Sequence, residues 1–132
     1  MFSLKQQPAL TEFEKSTLEE RLSYSEKLKY KYPNYIPIIL KKKVNDKILQ
    51  DIDKYKYLIP KNLDMSNLCY IIRKKSKCTE IQAIFIFVQQ KSKGHVESYL
   101  VPIHKNISEI YEEYKSEDNF LYMIYSTENT FG

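Results

Sequence analysis

The chain has 132 residues, 42% of them hydrophobic, and its 12 tyrosines and 6 phenylalanines indicate a folded globule, although the length leaves no room for a second folded unit. No apolar run approaches membrane-spanning length and the first residues lack a signal-peptide core, so we expect a soluble intracellular protein. The net charge of +4 is uneven, because residues 1–75 are strongly basic and residues 76–132 are acidic, which favours acidic partners or an anionic membrane surface over nucleic acid.

The N-terminal region is predicted to be an arm followed by helices. Residues 1–10 show little periodicity and include Pro8, so we interpret them as a mobile arm. Beyond the arm, capping-box spacing recurs and predicts two short helices between residues 11 and 31. The pairs with this spacing are Thr11 with Glu14, Ser16 with Glu19, and Ser23 with Glu26.

Two strands are predicted next, at residues 35–40 and 55–59, because both runs are rich in β-branched and aromatic side chains. The connection between them is short and polar, with a helical turn expected around residues 48–52, so the strands should pair antiparallel. Pro37 cannot donate a hydrogen bond to the sheet, which places it near the start of its strand, at a bulge or on an edge.

The clearest helix pattern follows Asp64, which is a good N-cap residue. Apolar side chains then recur at helical spacing. A run of basic residues follows, where positive charge is stabilised by the negative end of the helix dipole. These residues are Met65, Leu68, Cys69 and Ile72, followed by Arg73, Lys74 and Lys75.

Three further elements complete the predicted order. Residues 83–88 are predicted to form a buried strand, and Asn106 with Glu109 marks the start of a short helix. Residues 120–125 form an almost unbroken apolar and aromatic run, which is typical of a strand buried on both faces. Residues 127–132 are polar and small, so we expect a flexible tail that ends at Gly132.

Patterns that would indicate catalysis or metal binding are missing from the sequence. Two glycines are too few for a GxGxxG or phosphate-binding loop, and no GxSxG motif is present. Cys69 and Cys78 lack CxxC spacing and partnering histidines, so two reduced thiols are favoured over a zinc site. We therefore predict that the chain is not an enzyme and holds no metal or cofactor of its own.

Five segments carry a resemblance to a known family. They are KYPNYIPII (31–39), DKYKYLIP (53–60), IIRKK (71–75), AIFIFV (83–88) and FLYMIYSTENTFG (120–132). In this order they resemble the autophagy ubiquitin-like modifiers of the GABARAP family, over nearly all of residues 21–132. The resemblance implies an α+β fold, a ubiquitin-like β-grasp roll with four strands, two packed helices and an N-terminal helical subdomain, here residues 11–126.

The resemblance also implies a reaction at the C-terminus. An activating enzyme would use ATP on Gly132, a conjugating enzyme would receive it as a thioester, and the carboxylate would form an amide with phosphatidylethanolamine. Phe131 would assist recognition of the tail, a cysteine protease would remove the lipid, and trimming before conjugation would be unnecessary. The expected location is the cytoplasm and, once lipidated, an autophagosomal or other organelle membrane.

A peptide-binding surface is the second implication of the resemblance. The second predicted strand would take up an extended peptide whose aromatic and aliphatic residues are separated by two positions. The aromatic residue would enter a pocket formed by Leu28, Pro37, Ile39, Lys56, Leu58 and Phe120. The aliphatic residue would enter a pocket formed by Tyr57, Ile59, Pro60, Leu63, Leu68 and Ile71.

Acidic residues beside the peptide motif would meet Lys54 and Lys75, in addition to Lys56. Two departures from the family bear on ligand preference. Tyr24 replaces an acidic residue that is common at the rim of the aromatic pocket, and Tyr35 replaces a basic residue on the first predicted strand.

Residues 91–101 form a stretch about eight residues longer than the family has. Three alternatives to a lipid-conjugated autophagy modifier stay open from the sequence. They are a modifier joined to another protein, a noncovalent ubiquitin-like scaffold, and a lipidated modifier acting at a plastid-like organelle. The fate of the Gly132 carboxylate distinguishes the first two from lipid conjugation.

Overall fold

The protein folds around one mixed six-stranded sheet. This computed structural model describes residues 1–4, 7, 9–52, 54–79 and 81–130. The strand order across the sheet is β1-β3-β2-β6-β4-β5. In chain order the elements are β1 Phe2–Ser3, α1 Leu10–Lys15, α2 Leu18–Lys31, β2 Tyr35–Lys42, β3 Lys56–Pro60, α3 Met65–Lys75, β4 Phe85–Ser92, β5 His95–Leu100, α4 Ile107–Tyr114 and β6 Leu121–Ser126.

The middle of the sheet follows the predicted pairing. β2 and β3 pair antiparallel, with Ile38 opposite Tyr57, as their short connection required. β6 lies beside β2 in parallel, with Ile38 opposite Leu121, and β4 runs antiparallel on the other side of β6. Every residue of β6 is buried, which confirms the prediction of a strand covered on both faces.

Side-chain alternation divides the core into two clusters on opposite faces of the sheet. On one face, α3 and α4 pack against the sheet and bury residues such as Leu68 and Ile110. On the other face, α1 and α2 cover a smaller cluster that includes Phe13 and Leu28. Consecutive residues of β3 contribute to both clusters, since Tyr57 and Ile59 belong to the first and Leu58 to the second.

The starts of α2, α3 and α4 follow local side-chain chemistry, with differences from the prediction. The Thr11 pair does not cap a helix, because α1 already begins at Leu10 after Ala9, and the Ser23 pair lies inside α2. Asp64 caps α3, and the Asn67 side chain completes a capping box by accepting the Asp64 backbone N–H at 3.0 Å. α2 begins one residue later than the Ser16 spacing suggested, because Thr17 is the N-cap and accepts Glu20 N at 3.1 Å. Asn106 caps α4 through Ser108 N rather than through a box with Glu109.

The sheet has six strands instead of the four predicted. The first added strand, β1, falls within the predicted mobile arm and pairs with the outer edge of β3. The second, β5, forms a hairpin with β4 from the stretch that is longer than in the resembling family. Lys93 and Gly94 form its two-residue turn, and both have positive φ, 51° and 77°, as a type I′ turn requires.

The connection between β2 and β3 is irregular rather than helical around residues 48–52. Leu49 is nonetheless buried in the larger core cluster, and Asp46 lies almost wholly inside the protein at 3% exposure. Leu49 and Asp46 therefore help to fix this connection to the body of the domain.

Candidate functional site

β3 is the strand from which the candidate peptide-binding surface is built. Because successive side chains of a strand point to opposite faces, Lys56 and Leu58 face α2 while Tyr57 and Ile59 face α3. The two groups of predicted pocket residues consequently lie on opposite faces of the sheet, with the outer edge of β3 between them.

The residues predicted for the aromatic pocket are brought together but are closed from solvent. Leu28, Ile39, Leu58 and Phe120 belong to one cluster and are at most 8% exposed, and Pro37 is also buried. Phe13 of α1 packs edge-on against the Phe120 ring at a centroid distance of 5.4 Å. Phe13 was not among the residues that the sequence predicted for this pocket. Its being the one aromatic residue of α1 could have indicated that it is buried.

Lys56 is the buried cation of this cluster, at 3% exposure. Its Nζ lies 4.1 Å from the centroid of the Tyr24 ring and 4.5 Å from that of Phe13, which is cation–π geometry on two sides. Burial lowers the pKa of Lys56 from its ordinary value. Tyr24 stands where the family that the sequence resembles commonly has an acidic residue. The Lys56 ammonium group therefore contacts the face of a tyrosine ring there and not a carboxylate.

An open cleft of about 380 Å³ lies beside this cluster, along residues 40–42, 51, 52, 54 and 55. A second cleft of about 340 Å³ has Lys56 in its wall. The second cleft runs between α1 and α2. Its walls are Glu12, Phe13, Ser16, Glu20, Arg21, Tyr24 and Lys56. Of the residues predicted for the aromatic pocket, only Lys56 lines it. We favour the second cleft as the entrance to the aromatic side because it shares that residue.

The residues predicted for the aliphatic pocket separate into a buried and a surface group. Tyr57, Ile59 and Leu68 are at most 1% exposed and belong to the larger core. Pro60, Leu63 and Ile71 are half-buried and form the accessible part of this side. Their assignment to a peptide pocket stays a prediction.

The two lysines predicted to meet acidic flanks lie near the two faces of β3. Lys75, at the end of α3, is exposed, and its Nζ lies 5.4 Å from the centroid of the Tyr57 ring. Lys54 is half-buried just before β3, and its backbone carbonyl accepts a hydrogen bond from the Tyr57 hydroxyl at 3.2 Å. Both lysines thus lie near Tyr57, in the first half of β3.

That edge is occupied by the chain itself. β1 pairs with it antiparallel, with Phe2 opposite Leu58 and Ser3 opposite Tyr57. The Gln7 side chain continues the pairing at Lys56 through hydrogen bonds to its backbone N and O. Sequence reasoning missed this contact because the residues before α1 show neither periodicity nor a turn signal.

The start of the C-terminal tail is held by Asp46. Its Oδ2 accepts hydrogen bonds from Thr127 N and Thr127 Oγ1, both at 2.7 Å, while its Oδ1 accepts Ile48 N and Leu49 N. Burial alone would raise the pKa of Asp46, but the hydrogen bonds from Thr127, Leu49 and Ile48 outweigh it and hold the pKa well below the ordinary value. The carboxylate therefore joins the β2–β3 connection to the first residue after β6.

Lys43 holds the tail farther along. Its Nζ donates to Thr130 O at 3.2 Å and lies 3.4 Å from Glu128 Oε2. Residues 127–130, predicted to be part of a flexible tail, thus run along the β2–β3 connection in this structure. Phe131 and Gly132, the predicted recognition and conjugation residues, lie outside the described residues.

Two other features, a metal cluster and a membrane-spanning helix, are absent from the part of the chain that the structure describes. Within residues 1–4, 7, 9–52, 54–79 and 81–130, no group of three or more His, Cys, Asp or Glu side chains could hold a metal ion. No helix among them is long and apolar enough to cross a membrane. Burial raises the pKa of the half-buried Cys69 thiol, in agreement with a packing role.

Comparison with known proteins identifies the family. A family profile described as "Autophagy protein Atg8 ubiquitin like" matches residues 20–132. The chain belongs to the Atg8 family. The resemblance inferred from the five sequence segments is thereby confirmed.

Individual Atg8 proteins are similar over most of their length. Autophagy-related protein 8a of Arabidopsis thaliana is 44% identical over 115 residues, covering 87% of each chain. Autophagy-related protein 8 of Schizosaccharomyces pombe is 43% identical over 116 residues, covering 88% of each chain. The crystal structure of Trypanosoma brucei ATG8 matches with a TM-score of 0.73 at 29% identity, covering 96% of this chain and all of that one. The α+β ubiquitin-like fold class is confirmed.

Proposed function

We propose that this protein is an autophagy modifier that becomes joined through Gly132 to phosphatidylethanolamine and then recruits partners that carry extended peptide motifs. The observation that carries the proposal is the Atg8-family match, which extends through the tail to residue 132. The names of the relatives from Arabidopsis thaliana and Schizosaccharomyces pombe support a role in autophagy.

The chemistry at the C-terminus is a sequence of acyl transfers on the Gly132 carboxylate. An activating enzyme forms the acyl adenylate from ATP, with release of pyrophosphate, and a cysteine thiolate then displaces AMP to give a thioester. After transfer to a conjugating enzyme, the amine of phosphatidylethanolamine attacks the thioester carbonyl and releases the thiol. A deconjugating cysteine protease would hydrolyse the amide bond and release the lipid. The protein itself would supply no catalytic group to these steps.

A glycine suits this chemistry because it has no side chain to obstruct a narrow enzyme channel. The residues before it are anchored rather than free, since Thr127 contacts Asp46 and Thr130 contacts Lys43. Gly132 lies two residues beyond Thr130, and two extended residues reach about 7 Å. We therefore expect the Lys43 contact to open when an enzyme takes up the tail, while the Asp46 contact fixes where the tail leaves the domain.

Recognition of a motif with two spacer residues follows from strand geometry. In an extended peptide, residues separated by three positions point to opposite faces of the strand and lie about 10 Å apart along it. A peptide added at the β3 edge would place its aromatic residue on the α2 face, beside Lys56, and its aliphatic residue on the α3 face, beside Leu63 and Ile71. Acidic residues next to the motif would lie near Lys54 and Lys75.

This arrangement favours cargo receptors with aromatic-x-x-aliphatic motifs as the partners that bind beside β3. The protein would be in the cytoplasm before conjugation and at an autophagosomal or other organelle membrane afterwards. Exposed ion pairs add little affinity individually, so the lysines would mainly raise the association rate.

The test is an intact-mass measurement. The parent and Gly132→Ala are incubated with ATP, the cognate activating and conjugating enzymes, and vesicles containing phosphatidylethanolamine, with a reference modifier in parallel. We expect a lipid-sized mass increase in the parent and none in the variant. No increase in the parent, with the reference modifier converted, would refute lipid conjugation, and a mass increase equal to another protein would favour protein conjugation instead.

A further inference from the structure

The β3 edge, on which peptide recognition would depend, already carries a strand. Phe2 lies opposite Leu58 and Ser3 opposite Tyr57 in antiparallel register, and Leu4 N donates to Lys56 O at 3.4 Å. These contacts come from residues that precede the first helix. We refer to Met1, Phe2, Ser3, Leu4 and Gln7 as the N-terminal segment.

Gln7 completes the pairing with its side chain rather than its backbone. Its Nε2 donates to Lys56 O at 2.9 Å, and its Oε1 accepts Lys56 N at 3.1 Å. The same Oε1 accepts Tyr55 N at 3.3 Å, and Nε2 also donates to Leu4 O at 2.8 Å. A side-chain amide, like a peptide group, carries both N–H donor and C=O acceptor functions, so that of Gln7 substitutes for a further residue of the strand.

The side chains of the N-terminal segment contact both faces beside the edge. Phe2 packs edge-on against the rings of Tyr32 and Tyr35, with centroid distances of 5.6 and 5.3 Å. Leu4 packs against the cluster on the α2 face, and Met1 packs against the core on the α3 face. The segment thus covers the two faces on which a bound peptide would place its aromatic and aliphatic residues.

A strand edge pairs with only one strand at a time, because each outward N–H and C=O group already has its partner. We infer that the N-terminal segment is an intramolecular competitor for the β3 edge, and that an extended peptide binds there by displacing it. This inference rests on the proposed peptide recognition and adds to it the chain's own segment as the resident occupant.

Competition of this kind has a quantitative consequence. A peptide that binds only the open form has an apparent Kd equal to its intrinsic Kd divided by the open fraction. The described residues of the N-terminal segment hold the edge by strand pairing at two positions and by the Gln7 side chain, and Phe2 is 37% exposed, so we expect the closed form to be favoured without being locked. Each hydrogen bond removed should change the opening equilibrium by a factor of roughly 2 to 10.

Two substitutions weaken the segment without replacing any residue of the predicted pockets. Gln7→Ala removes the hydrogen bonds to Tyr55 and Lys56, and Leu4→Pro removes the N–H that donates to Lys56 O. The matched control is Gln50→Ala, because Gln50 is exposed and lies away from β3 in the chain. All are made in the full chain, and thermal unfolding establishes that each variant is folded.

The probe is a synthetic ten-residue peptide with acidic residues before a Trp-x-x-Leu core, and its Kd is measured by isothermal titration calorimetry. Hydrogen exchange at the Lys56 amide reports closure directly. We expect Gln7→Ala and Leu4→Pro to bind the peptide roughly 3- to 10-fold more tightly than the parent and to exchange faster at Lys56. Gln50→Ala should match the parent in both measurements.

The outcomes separate the inference from the proposed function. Equal peptide Kd values for the parent and both variants, with faster exchange at Lys56 in the variants, would overturn competition while leaving peptide recognition intact. Absence of binding to the parent and to every variant would refute peptide recognition itself, and the inference with it. Should Leu4→Pro fail to fold, Gln7→Ala decides the question alone.

Discussion

The Asp46 carboxylate gives the most specific prediction about stability, because it contacts Thr127, which is 81 positions away in the chain. Asp46→Asn keeps the oxygen that accepts Ile48 N and Leu49 N but places an NH₂ group against the donors of Thr127. The hydrogen bonds to Oδ2 from Thr127 N, Thr127 Oγ1 and Ser126 Oγ are affected, at about 1.5–3 kcal/mol for each one lost. Part of this is recovered, because the two hydroxyl groups can rotate to accept from the new NH₂ group and water can reach the tail. We expect the free energy of unfolding to fall by about 2–3 kcal/mol.

For a chain of this size, that loss corresponds to a decrease in Tm of roughly 8–12 °C. Differential scanning calorimetry at pH 7 measures it, and hydrogen exchange at the Thr127 amide shows whether the tail contact is the part that opens. The control is Asp51→Asn, since Asp51 lies in the same connection with an exposed side chain. A Tm of Asp46→Asn within 1 °C of the parent, together with unchanged exchange at Thr127, would refute the reasoning.

The pH dependence provides a second check on the same residue. The pKa of Asp46 is lowered in the folded protein, so the unfolded chain binds the proton more readily. The stability that the carboxylate contributes is therefore fully present above the ordinary aspartate pKa of about 3.9 and is lost as the pH falls below it. We expect the difference in stability between the parent and Asp46→Asn to be largest above pH 5 and to shrink progressively towards pH 2.

Three further predictions concern other parts of the structure. Asp118→Ala should lower the free energy of unfolding by about 3–5 kcal/mol, because Asp118 is 2% exposed and pairs with the Arg21 guanidinium at 3.0 Å. The control, Glu117→Ala, should change the free energy of unfolding little, and urea unfolding measures both variants. The double variant Lys54→Ala/Lys75→Ala should bind the acidic peptide about two- to fivefold more weakly at low salt, mainly because association is slower. If the loss of affinity were undiminished near 1 M salt, an electrostatic origin would be contradicted. Gly94→Ala should destabilise the β4–β5 hairpin by about 1 kcal/mol, because a residue with a Cβ is strained at φ +77°. No atom lies within 4 Å of the added methyl group, so no steric clash adds to this cost. Unchanged hydrogen exchange of the hairpin amides would contradict the prediction.

Local sequence patterns predicted most of the individual elements. The helical spacing of Met65, Leu68 and Ile72 after Asp64 gave α3, and the apolar run at 120–125 gave a strand covered on both faces. The antiparallel pairing of β2 with β3 followed from the length of their connection. These inferences succeed because burial of one face leaves a period in the sequence that is independent of what covers that face.

The candidate site was predicted less completely. The residues assigned to the aromatic pocket do meet on the α2 face, but Phe13 and Tyr24 cover them and hold Lys56 between their rings. Nothing in the spacing of these residues indicates that α1 folds back over this cluster. Their role in binding a peptide stays a prediction, as does the role of Gly132.

The sequence by itself determined which residues form the central buried strands, where α3 and α4 begin and which family the chain resembles. Only the tertiary structure decided what lies beside the β3 edge and what holds the tail. The pairing of Gln7 with Lys56, and of Asp46 with Thr127, joins residues 49 and 81 positions apart. Such contacts depend on single polar side chains that meet after the chain has folded, and a single polar side chain leaves no period from which its distant partner can be identified.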